Sequence, residues 1–158
     1  MVGSVRVQRE DFDAAAEAAK LVGGRADIGA VVTFTGICRG NDKGDITAMT
    51  LEHYPGMAEA EIARHVEEAE QRWPLHGVTV IHRYGRILPG ENIVLVVTAA
   101  AHRGEAFAAA EFLMDYLKTS APFWKHEERA SGAGWVDAKD VDDAAAARWS
   151  SPKREAAE

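Results

Sequence analysis

Asn92-Ile93-Val94-Leu95-Val96-Val97-Thr98-Ala99-Ala100-Ala101-His102-Arg103-Gly104 is the stretch on which the reading of the fold turns. Its first part, Asn92 to Ala101, is an apolar run of strand length, far too short to span a bilayer. From Gly104 to Ser120 the apolar residues change to a helical period. Phe107, Ala110, Leu113, Met114 and Leu117 share one stripe, and Pro122 stops the helix. A buried strand thus hands over to an amphipathic helix, with His102 and Arg103 at the junction.

Upstream, Val78 to Tyr84 reads as another strand, separated from Asn92 by the glycine-punctuated segment Gly85 to Gly90. Met57 to Trp73 has Ile62, Val66 and Ala69 on one face and is expected to be a helix ended by Pro74. Pro55-Gly56 separates it from a strand over Ile46 to His53. Gly29 to Cys38, rich in β-branched residues, is expected to be a mostly buried strand. The polar loop Arg39 to Asp45 follows it, with the glycines of a mobile connection. Nearer the N-terminus, Val5 and Val7 alternate with polar residues as in a half-buried strand. Asp11 is a plausible N-cap for a helix over Phe12 to Val22, which Gly23-Gly24 would end.

Downstream, Phe123 to Arg129 and Trp135 to Ala138 are expected to be short strands around the turn Ser131 to Gly134. From Val141 the chain turns polar and Ala-rich. The expected organisation is one domain over 1–140 and a tail over 141–158, either mobile or a short helix that orders on binding. Hairpins mixed with crossovers make α+β the expected class.

The chain has 158 residues, 47% of them hydrophobic, which suits one well-packed domain rather than two. A formal net charge of -7 argues against a nucleic-acid binder and against a polybasic membrane anchor. Cys38 is the only cysteine, so no intramolecular disulfide can form, and a reducing cytoplasmic setting is expected. The N-terminus lacks the apolar core of a signal peptide.

Few residues stand out as carriers of chemistry. His102-Arg103 at a helix start combines free N–H groups, the positive end of the dipole, a guanidinium fork and a titratable ring, which together suit an anion. The plainer alternative pairs Arg103 with Glu105. Lys118 borders the apolar stripe, where lost hydration makes an amine a usable base or nucleophile. Lys125 follows Phe123-Trp124, two rings able to wall a pocket. Both lysines can equally extend to water, and Glu111 is near enough on the helix to pair with Lys118. Arg39 ends a strand beside a glycine-rich loop. Cys38 reads as a small buried hydrophobe rather than a nucleophile. His53, His76, His82 and His126 show no metal-ligand spacing, and no phosphate-binding glycine motif is present.

Several segments taken in order resemble the molybdopterin synthase large-subunit family. They are Gly29-Ala30-Val31-Val32-Thr33-Phe34-Thr35-Gly36 with Arg39, Leu51-Glu52-His53-Tyr54-Pro55-Gly56-Met57 and Ile81-His82-Arg83-Tyr84-Gly85. Ala101-His102-Arg103-Gly104-Glu105-Ala106-Phe107, Tyr116 to Lys125 and Gly134-Trp135-Val136 complete the series, from about Gly29 to Ala138. The resemblance implies an α/β-hammerhead fold, a mostly antiparallel sheet with flanking helices. It implies a homodimer whose ends each bind a small ubiquitin-like sulfur-carrier subunit with a C-terminal Gly-Gly thiocarboxylate, giving a heterotetramer. The reaction implied is sulfuration of cyclic pyranopterin monophosphate to molybdopterin, with no metal or other cofactor.

By the same resemblance Lys118 and Lys125 are catalytic, and Arg39, His102 and Arg103 hold the anionic substrate. Glu127 orients Lys125, while Phe34, Met114, Phe123 and Trp124 are pocket walls or partner contacts. His126 departs from the family, which more often has Lys or Arg there. Two rival readings remain: a docking module for a ubiquitin-like protein that has lost the chemistry, and an unrelated enzyme acting on a phosphorylated small molecule.

Overall fold

The segment Asn92–Ala100 is the strand between two neighbours in a four-stranded sheet, and the rest of the architecture is arranged about it. The computed structural model describes residues 3–40, 44–130, 132–136 and 140–150. In chain order the elements are Gly3–Gln8 (β1), Ala14–Val22 (α1), Ala30–Ile37 (β2), Ile46–His53 (β3), Met57–Arg72 (α2) and Leu75–Arg83 (β4). Then follow Gly85–Ile87 (β5), Asn92–Ala100 (β6), Arg103–Thr119 (α3), Phe123–Arg129 (β7), Gly132–Val136 (β8) and Asp140–Ala147 (α4).

One sheet has the order β1-β4-β6-β2, in which only β1 and β4 run parallel. Its two faces are used differently because strand side chains alternate. Val78 and Val80 of β4 and Val94 and Val96 of β6 pack beneath α2 and α3 with Ile62, Val66, Phe112 and Leu113. Ile81, Leu95 and Val97 point the other way, onto Phe12, Ala18 and Leu21 around α1. Helices on both faces explain why β6 is buried from Val94 to Ala100. Gly29 is needed at its position: its N–H donates to the Ala100 carbonyl at 3.0 Å, and a Cβ there would collide with the Ala101 carbonyl.

The second sheet, β5-β3-β7-β8, is wholly antiparallel. Its inner face carries Met49 and Leu51, which bury Cys38 and Ile87. Its outer face carries Glu52, Thr50, Trp124, His126 and Trp135, as the register with β7 and β8 dictates. The class is α+β with predominantly antiparallel sheets, as expected. Among the described residues no helix is long and apolar enough to cross a membrane.

Four local expectations are corrected. The N-cap of α1 is Asp13, whose carboxylate accepts from the Ala16 N–H at 3.0 Å. Asp11 instead accepts from Phe12 N–H and from Asn92 Nδ2. The strand β2 is not mostly buried, because it lies at the sheet edge, where Val31, Phe34 and Ile37 are exposed. The segment after Tyr84 is not only a connection, since Gly85–Ile87 adds β5 to the edge of β3. The last strand begins at Gly132 rather than Trp135, because β7 pairs onward through Arg129 and Gly132.

The region expected to be a tail contains α4, and Trp149 beyond it packs edge-on against Trp73 and Phe112. Trp149 Nε1 donates to Asp115 Oδ2 at 2.6 Å, and Arg148 bridges Glu111 and Asp115. Residues 151–158, like Ser131, Ala138 and much of the loop after Arg39, lie outside the described residues.

Candidate active site

One end of the first sheet gathers most of the chemistry. Ile37 of β2 and His82 of β4 stand opposite Asn92 and Val94, so Arg39, just past β2, lies at this same end. The helix α3 runs back along β6 over 17 residues, about 25 Å at 1.5 Å per residue. Lys118, in its last turn, is therefore carried to the Asn92 end as well. Phe123 opens β7 there, stacked on His82 with centroids 3.9 Å apart.

Lys125 and Glu127 follow on the inner face of β7, two and four residues after Phe123, as the strand period requires. Lys125 Nζ lies 3.5 Å from Glu127 Oε1, and Arg129 Nη2 holds Glu127 Oε2 at 2.6 Å. Glu127 is only 8% exposed. Burial raises the Glu127 carboxyl, but the hydrogen bond from Arg129 and the charges of Lys125 and Arg129 outweigh it. The net position is below the ordinary carboxylate range.

Cys38 lies close enough to feel Lys125 and Glu127. Burial is the main reason its thiol is pushed up, with Glu127 and Glu91 adding to the effect and Lys125 opposing it. A thiol held protonated in an apolar cluster is a poor nucleophile, so its role is packing.

The expected site is only partly assembled within one chain. Lys118, Lys125, Glu127, Phe123 and Arg39 converge at the Asn92 end. Trp124 faces outward, edge-on to Tyr54 at 4.9 Å, and the two line an open cleft with Glu52, His53 and Trp135. Phe34 is exposed on edge strand β2, opposite Val96, while Met114 is buried in the core beneath α3. His102 and Arg103 are exposed at the opposite end, where α3 begins. His102 occupies the N-cap without a side-chain hydrogen bond to the helix.

The plainer pairings do not form: among the described residues Arg103 has no ion pair with Glu105, and Glu111 pairs with Arg148 rather than Lys118. Arg39, His102 and Arg103 make no ion pair among the described residues, which leaves two guanidinium groups and an imidazole available to an anion.

Sequence reasoning missed two participants in this end of the molecule. Arg129 lies on the same face of β7 as Lys125 and Glu127, and the strand's period of two was the signal. His82 falls on the inward face with Val78 and Val80, again by alternation, and becomes a buried ring against Phe123.

The model of the family described as MoaE protein matches residues 7–120. The chain belongs to the MoaE family. Among curated relatives of this MoaE chain is the molybdopterin synthase catalytic subunit of Mesorhizobium japonicum, 64% identical over 150 residues, covering 94% of each chain. The subunit of the same name from Escherichia coli is 56% identical over 126 residues, covering 79% of this chain and 84% of its own. Among solved structures, the molybdopterin biosynthesis MoaE protein from Burkholderia ambifaria superposes with a TM-score of 0.80 at 50% identity, covering 93% of this chain and 97% of its own. Such agreement makes the hammerhead arrangement of this MoaE chain that of its family.

Proposed function

We propose that this chain is the catalytic subunit of molybdopterin synthase, a sulfurtransferase that converts cyclic pyranopterin monophosphate to molybdopterin. The sulfur comes from the C-terminal thiocarboxylate of a small ubiquitin-like carrier. The observation that carries this reading is the convergence of Lys118, Lys125 and Arg39 at one strand end, in a chain of the MoaE family. A docking module needs no such group of cations around a half-buried lysine.

In this reading Lys125, oriented by the Glu127–Arg129 pair, activates the thiocarboxylate or the pterin intermediate. Lys118 transfers a proton or forms a transient adduct with the carrier's terminus. Arg39 supports the cyclic phosphate with a planar, permanently charged fork. Phe123 walls the pocket, while Phe34 and Trp124 contact a partner. Each carrier delivers one sulfur, so two are consumed per molybdopterin. No metal takes part.

His102 and Arg103 stand about 23 Å of helix away from Lys118 and cannot serve the same site within one chain. They serve it in a homodimer, where the α3 start of one copy meets the lysine end of the other. Two carriers then complete a heterotetramer. The setting is cytoplasmic.

The reading is tested by mixing the protein with thiocarboxylated carrier and cyclic pyranopterin monophosphate, and following the dithiolene product as its fluorescent oxidised pterin. Product formation is the expected result. Tight carrier binding without product would favour the docking-module alternative, and neither binding nor product would overturn both.

A further inference from the structure

Only Ala101 and His102 join β6, which ends at Ala100, to α3, which starts at Arg103. His102 is extended there, at φ -129° and ψ 154°, and its ring makes no capping hydrogen bond. The helix itself therefore does not fix the direction in which His102 and Arg103 leave the strand. Contacts that bear on this join come from the turn between α1 and β2.

Arg25 anchors that turn. Its Nη1 donates to the His76 carbonyl at 2.6 Å, and its Nε and Nη2 donate to the Asp27 carboxylate at 3.1 and 2.8 Å. Asp27 Oδ2 also lies 3.1 Å from His76 Nδ1. His76 is the extra residue of a bulge in β4, between Leu75, opposite Ala100, and Gly77, opposite Ala99. At the far end of the turn the Gly29 N–H donates to the Ala100 carbonyl at 3.0 Å, and the Gly29 Cα is too close to the Ala101 carbonyl oxygen for a Cβ to fit. The turn thus crosses the end of β6, tied to β4 on one side and leading into β2 on the other. The peptide it presses on is the one that carries His102.

We propose that the turn from Arg25 to Gly29 is a positioning brace for the anion site, seated through Gly29 on the Ala101–His102 peptide. This rests on the reading of His102 and Arg103 as anion-holding residues given above. Moving the Ala101 carbonyl tilts that peptide plane, and with it His102, Arg103 and the free N–H groups of the first turn of α3. Exposed ion pairs add little to stability, so the Arg25–Asp27–His76 cluster matters for where it holds the turn.

The test is titration of the full-length, 15N-labelled protein with inorganic phosphate, read at the backbone amides of His102 and Arg103. Saturable shifts at both are expected in the wild type. In Gly29→Ala the dissociation constant should rise about ten-fold, as for a misplaced binding group. In Arg25→Ala it should rise about three-fold, the scale of one exposed ion pair. Arg25→Ala removes only a partly exposed surface side chain, so it decides the matter even where Gly29→Ala does not fold.

A merely structural role would lower the melting temperature and leave the phosphate affinity of the folded protein as it was. Equal affinity in wild type and Arg25→Ala would therefore overturn the brace while leaving the anion reading standing. Absence of any phosphate response in the wild type would overturn both. In sulfur transfer the same variants should raise the KM for cyclic pyranopterin monophosphate and leave the KM for the carrier unchanged. Equal rises in the two KM values would contradict the proposal.

Discussion

Lys125 Nζ and Glu127 Oε1 lie 3.5 Å apart on the inner face of β7, with the second carboxylate oxygen held by Arg129. The carboxylate is buried while both cations remain partly exposed, so Glu127 fixes their heads in place. Glu127→Gln leaves the two cations without their shared counter-charge. A roughly ten-fold drop in kcat and about 1–3 kcal/mol of lost stability are expected, the latter for a broken, partly buried charged hydrogen bond. Steady-state kinetics and urea unfolding measure the two effects separately. Unchanged kcat would remove Glu127 from the site.

The buried His82 predicts a specific pH dependence of stability. Its folded pKa of about 4 is below the 6.5 of the free side chain, so the unfolded chain binds this proton first as pH falls. The contribution is fully present above pH 6.5 and is lost as pH drops from there toward 4. At about 1.4 kcal/mol per pKa unit, the loss amounts to roughly 3 kcal/mol. Unfolding free energies of wild-type and His82→Phe proteins should therefore converge or cross between those pH values, the wild type falling more steeply. Parallel curves would contradict the burial of a neutral ring.

Leu113 is 1% exposed where α3 lies on β4 and β6. Leu113→Ala removes buried methyl groups from a site closed on all sides, and a loss of about 2–5 kcal/mol is expected in chemical denaturation. Because α3 also carries Lys118 at its far end, sulfur transfer should fall in step with the folded fraction.

The separation of His102-Arg103 from Lys118 makes a prediction about subunit mixing. Arg103→Ala and Lys125→Ala proteins, each impaired alone, should regain roughly a quarter of wild-type activity when mixed in equal amounts and allowed to exchange subunits, because about half of the dimers are then heterodimers, each with one intact site of two. No recovery on mixing would mean that each chain works alone.

Much of this architecture was legible in the sequence, and the misses have physical causes. The order of strands and helices followed from periodicity, and α3 was clear because its stripe is long and Pro122 lies just beyond it. The burial of β2 differs from the expectation because β-branched residues look alike in a central strand and in an edge strand. Asp11 and Asp13 were equally good caps by residue type, and only the distant Asn92 drew Asp11 away. The strand β5 is too short to announce itself. At the site, Lys118, Lys125 and Glu127 were found by residue type and resemblance, whereas their convergence with Arg39 depends on long-range pairing of β2, β4 and β6. His82 was passed over as a histidine without a metal-like neighbour, although its alternation with Val78 and Val80 already placed it inside.

The most direct test of the central claim is single-turnover sulfur transfer by Lys125→Ala, with thiocarboxylated carrier and cyclic pyranopterin monophosphate in excess of their dissociation constants. The variant is expected to bind carrier as the wild type does, yet to form dithiolene product at least about a hundred-fold more slowly, as for loss of a group acting in the transition state. Product formed at the wild-type rate would contradict it.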